Sequence, residues 1–81
     1  METRVAVISV IVEDIAGVKT LNDILHNYNE YIIGRMGIPY KHKSINIISI
    51  AVDAPQDTIS AIAGKIGRID GITSKTMYSK Y

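Results

Sequence analysis

The chain has 81 residues, 47% of them hydrophobic, with a formal net charge of +1 and no cysteine. That length holds one domain, and a body so small buries only about 60% of its unfolded surface, so apolar side chains are left over and self-association is expected. The near-zero charge removes a global field for nucleic acid or an anionic membrane. The lack of cysteine removes disulfides, thiolate nucleophiles and sulfur-ligated zinc.

Met1-Glu2-Thr3-Arg4 runs straight into the apolar stretch Val5 to Val12. This run is too short for a signal-peptide core with its cleavage site or for a bilayer span, and a cytoplasmic location is the expectation. It is β-branched almost throughout and apolar on both alternating faces, which predicts a strand in the middle of a sheet. One face should meet helices; the other carries Val5, Val7, Ser9 and Ile11 or the complementary set, and something must cover it, a second subunit being the candidate.

Val12-Glu13-Asp14-Ile15-Ala16-Gly17-Val18 breaks the strand and opens a helix. Asp14 stands where its carboxylate can accept from the first free backbone N–H groups, and Gly17 suits a sharp turn at positive φ or a close approach by a partner. Val18, Leu21, Ile24, Leu25 and Tyr28 then fall on one helical face, with Lys19, Asn22, Asp23, His26 and Asn27 on the other.

From Ile32 to Tyr40 two glycines and a proline argue for an edge strand, bulged or otherwise irregular. Lys41-His42-Lys43-Ser44 is a polar connection, longer than a tight turn, to a second doubly apolar strand over Ile45 to Val52. Asp53-Ala54-Pro55-Gln56-Asp57 signals a helix start, because proline and a carboxylate both suit the first turn. Ile59, Ile62, Ala63 and Ile66 form its buried stripe, joined at its end by Ile69. Gly64 and Gly67 lower intrinsic helix stability by ~1 kcal/mol each, and close helix packing is the reading for them. Asp70-Gly71 turns the chain into a last, more polar strand, Ile72 to Tyr78, at the other edge of the sheet.

The order strand, helix, strand, strand, helix, strand with right-handed crossovers predicts an α+β, ferredoxin-like βαββαβ domain over residues 1–81. Its four-stranded antiparallel sheet has order 4-1-3-2, with both helices on one face. The two halves share the plan strand, junction, helix, without a residue-level repeat.

Asp14-Ile15-Ala16-Gly17-Val18 followed by Leu21, Ile24 and Leu25 resembles the first strand-to-helix junction of ACT-type regulatory domains. Gly34-Arg35-Met36-Gly37-Ile38-Pro39-Tyr40, Gly64-Lys65-Ile66-Gly67 and Gly71-Ile72-Thr73-Ser74-Lys75-Thr76 resemble the small stand-alone iron-only hydrogenase system regulators, nearly end to end. The resemblance implies an ACT-like fold, homo-oligomeric assembly and a regulatory role. It also places any ligand where the turn of Asp14, Gly17 and Val18 meets a neighbouring subunit, for which Gly34, Arg35, Met36 and Gly37 are the candidate second wall.

Other constellations read as ordinary surface. Asp23, His26 and Glu30 share a helical face, and His42 could join them from the hairpin, but no second cluster completes a coordination sphere, so no metal or cofactor is expected. Gly64-Lys65-Ile66-Gly67 matches the GXXG clamp of KH domains only superficially, since the order of elements differs. Ser9, Ser49 and Ser60 have no histidine that the topology brings into reach. Glu13 and Asp14 would repel a phosphate where a phosphate-cradling enzyme of this topology needs an arginine loop. The expectation is therefore a non-enzymatic regulatory module, its partners being itself and a small effector or a regulatory or hydrogenase-system protein, with no membrane. The alternatives are an adaptor oligomer without a small ligand and nucleic-acid binding through Arg35, Lys41, Lys43 and Lys75, which the low net charge disfavours.

Overall fold

A computed structural model describes residues 2–80. Strand β1 (Arg4–Val12) leads through a 3-10 turn at Ile15–Gly17 into helix α1 (Val18–Asn27), and β2 (Ile32–Tyr40) and β3 (Ile45–Ala54) form the hairpin. Helix α2 (Gln56–Gly67) and strand β4 (Ile72–Tyr78) follow. The strands make one antiparallel sheet in the order β2-β3-β1-β4, the predicted ferredoxin-like arrangement read from its other edge.

The period-2 pattern divides the central strands cleanly between two faces. Ala6, Ile8, Val10 and Val12 of β1 and Ile48, Ile50, Val52 and Ala54 of β3 are buried beneath the helices. Leu21 and Leu25 of α1 and Ile59, Ile62 and Ile66 of α2 close over them, and Ile72 completes the core. Val18, Ile24, Tyr28 and Ile69 are half-buried against this cluster, as the helical spacing predicts. Each fully buried isoleucine contributes roughly 1.5–3 kcal/mol of transfer free energy, which makes this one layer the source of the domain's stability.

Local chemistry sets the breaks. The register of β2 on β3 shifts between Ile32 and Gly34, the expected bulge, and Ser44 reaches φ 54° to close the hairpin. Pro55 stands before the first residue of α2, where its missing N–H costs nothing, and its carbonyl accepts from Ile59 N at 3.0 Å. The packing reading for the α2 glycines is corrected at Gly64, where a Cβ would meet nothing within 4 Å; at Gly67 it would make only an ordinary contact with Ser74 Oγ at 3.9 Å.

No helix among the described residues is long and apolar enough to cross a membrane. Among the described residues no element covers the sheet face away from the helices, where Ile11 and Met77 are 42% and 70% exposed. Register places Val5, Val7, Ser9 and Ile11 of β1 there, beside Ile47, Ser49 and Ala51 of β3, Met36, Ile38 and Tyr40 of β2, and Lys75 and Met77 of β4.

Candidate functional site

The Asp14 turn is held from below by β4. Glu13 N and Asp14 N both donate to the Gly71 carbonyl, at 2.7 and 3.2 Å, and Thr73 Oγ1 donates to Glu13 Oε1 at 3.1 Å. Within the turn Ala16 N donates to Asp14 Oδ1 at 3.0 Å and Gly17 N to the Asp14 carbonyl at 3.0 Å, so the carboxylate satisfies an N–H that would otherwise lack a partner. The expectation of a positive φ at Gly17 is corrected: its φ is −80°, open to any residue. Glycine is needed there for space, since a Cβ would lie 2.9 Å from Ile69 Cγ2 and 3.3 Å from the Asp70 carbonyl. The left-handed residue is Gly71, φ 78°, whose absent Cβ would fall onto Asp14 Cβ. Gly17 and Gly71 thus let two chain segments, more than fifty residues apart, lie in direct contact.

Above this turn a cleft of about 400 Å³ opens between residues 12–15 and the β2–β3 hairpin, residues 39–41 and 44–46. Its lining mixes the acidic residues Glu13 and Asp14, the basic Lys41 and the apolar Val12, Pro39 and Ile45. Ile15 stands at the rim 79% exposed, and the Tyr40 ring lies 5.7 Å from that of His42. Such a lining, apolar with a few charged groups of both signs, suits a small polar molecule with an apolar part. Sequence reasoning missed the hairpin wall of Tyr40, Ser44, Ile45 and Asn46. Only antiparallel pairing brings the end of β1 level with the hairpin, where Val12 faces Asn46.

The other candidates lie elsewhere in the same chain. Gly34, Arg35, Met36 and Gly37 sit along edge strand β2, separated from β1 by β3. Arg35 turns to the helix side and donates from Nη2 to Asn22 Oδ1 at 3.1 Å, beside a shallow groove of about 290 Å³ that Leu25, His26 and Asn29 share. Met36 points to the opposite face, and Val18 packs half-buried on the core. One chain therefore does not join the Asp14 turn to the Gly34–Gly37 segment. The basic set is likewise divided, with Arg35 on the helix side, Lys75 on the outer face and Lys41 and Lys43 at the hairpin. Asp23 is taken up by Lys19 at 3.2 Å, and no group of three or more potential metal ligands occurs among the described residues.

Residues 4–76 match the family described as "Iron-only hydrogenase system regulator, putative". The chain belongs to the iron-only hydrogenase system regulator family. The uncharacterized protein TM1266 from Thermotoga maritima superposes with a TM-score of 0.93 at 32% identity, over 98% of this chain and 100% of that one. An unknown protein from Galdieria sulphuraria gives 0.73 at 17% identity, over 99% of this chain and 47% of that one. A formyltetrahydrofolate deformylase from Pseudomonas putida KT2440 gives 0.68 at 10% identity, over 95% of this chain and 29% of that one, a likeness of fold alone. No curated protein matches. The matched residues 4–76 include both walls of the cleft and the sheet as far as Thr76 of β4.

Proposed function

We propose that this member of the iron-only hydrogenase system regulator family is a non-enzymatic, homo-oligomeric binding module, working in the cytoplasm, that takes a small effector beside the Asp14 turn at a subunit interface. The observation that carries this reading is the cleft between that turn and the hairpin. It is lined by residues of both charge signs and by apolar ones and is open to solvent, and a second subunit could supply a further wall from its Gly34–Gly37 segment. Occupancy would act through association, since a ligand held by two copies favours the assembled state by mass action. A calorimetric and thermal-shift screen with amino acids, nucleotides and divalent metals tests it. Saturable binding that Tyr40→Ala and Asp14→Ala weaken is the expected result, and no binding across the screen would refute it.

A second reading, an adaptor that docks a protein of the same system without a small ligand, draws support from the exposed Ile15 at the cleft rim. Loss of partner capture in an Ile15→Ser variant, with no small-molecule binding in the wild type, is the outcome that would favour it.

A further inference from the structure

We propose that the helix-free face of the sheet is a self-association surface on which a second copy of this chain packs sheet against sheet. The inference rests on the homo-oligomer reading above and specifies which surface the copies use.

Three observations point to a second copy as the occupant. The first is area. Val5, Ile11, Met36, Ile38, Tyr40, Ile47 and Met77 share this face and are each between 38% and 70% exposed. At about 200 Å² for a large side chain fully exposed, those fractions amount to roughly 700 Å² per copy, close to the ~800 Å² per partner of a standard stable interface. The whole chain exposes 5545 Å², whereas a compact monomer of its mass exposes about 4,800 Å².

The second observation is the charge pattern. Along the paired strands the outer face holds one acid, Asp53, at one end and one base, Lys75, on edge strand β4; Ser9, Ser49 and Thr73 are its uncharged polar side chains, among apolar ones. The two central strands carry no charge on this face from Val5 to Ile11 and from Ile47 to Ala51, as interface cores do, and a single lysine is no basic cluster for an anionic lipid surface to hold.

The third is the polar pair at the centre. Ser9 of β1 and Ser49 of β3 are directly opposite each other on the outer face. A hydroxyl both donates and accepts, so serines brought together by a two-fold axis satisfy one another, where a pair of like charges would repel. Two sheet faces that pack on each other stand about 10 Å apart, the spacing of a β-sandwich core.

The test is sedimentation of the full chain across micromolar concentrations, with Ile11→Glu on the outer face and Ile33→Lys at the free edge of β2. The expected result is a wild-type dimer whose dissociation constant rises on the order of 100-fold or more in Ile11→Glu, because an unpaired carboxylate is then buried, and stays unchanged in Ile33→Lys. Ser9→Cys gives a readout that does not depend on how well a charged variant folds. Its single thiol should resist a thiol-reactive probe at high protein concentration and react on dilution. A wild-type oligomer that Ile11→Glu leaves intact with its circular dichroism preserved, or an introduced thiol equally reactive at every concentration, overturns the sheet pairing alone. A wild-type monomer overturns the homo-oligomer reading with it. Co-sedimentation with phosphatidylcholine vesicles in place of self-association would assign the face to lipid and likewise overturn the proposal.

Discussion

Gly71→Ala tests how the Asp14 turn is built. The residue sits at φ 78°, and a methyl group there points into Asp14 Cβ, with Asp14 N at 3.2 Å and Asp14 Cα at 3.3 Å. Neither segment can withdraw freely, because Glu13 N and Asp14 N both donate to the Gly71 carbonyl. A left-handed backbone costs an L-residue about 1–2 kcal/mol and overpacking adds about 1–3, while the stiffer unfolded chain offsets about 0.4–1. The net loss is about 1–5 kcal/mol, from a total of about 4–12 expected for a domain of this length. Urea unfolding followed by far-ultraviolet circular dichroism, at one fixed protein concentration so that association does not shift the midpoint, measures it. With a slope of about 1–1.5 kcal/mol per molar, the midpoint should fall by about 0.7 M or more. A midpoint within about 0.5 M of wild type would show that the turn does not depend on this contact.

The remaining predictions follow from the same packing. Gly64→Ala should stabilise by about 0.5–1 kcal/mol in the same urea assay, since it adds helix propensity to α2 and its Cβ meets nothing within 4 Å. Gly17→Ala keeps an allowed backbone but presses on Ile69 and Asp70, and should cost about 1–3 kcal/mol, less than Gly71→Ala. Ile62→Ala, in a fully buried site between α2 and the sheet, should lower thermal stability by about 2–5 kcal/mol. Lys19→Ala, by contrast, removes an ion pair whose side chains are 87% and 65% exposed, and should change urea stability by less than about 0.5 kcal/mol.

The cleft and the outer face were legible to different degrees. The surplus of apolar residues on Val5, Val7 and Ile11 can be read from the chain alone, because a strand has only two faces and the helices can cover one. The cleft cannot, since Tyr40 and Asn46 lie more than twenty residues from Asp14 and nothing local ties them to it. Arg35 shows the same limit: the Gly34–Gly37 segment reads as a second wall for the site, yet the side of β2 that Arg35 occupies turns it back to Asn22 of its own chain.

What the sequence determined by itself is the fold. Periodicities of 2 and 3.6 separated strands from helices, β-branched runs placed β1 and β3 at the centre of the sheet, and element order with crossover handedness left one topology. Tertiary structure alone decided why the glycines are where they are. Gly17 and Gly71 share a residue type but not a reason: one yields space to Ile69, the other adopts the left-handed turn that carries β4 beneath Asp14. A dihedral angle and a neighbour's distance belong to the folded chain, and no pattern of residue types encodes them separately.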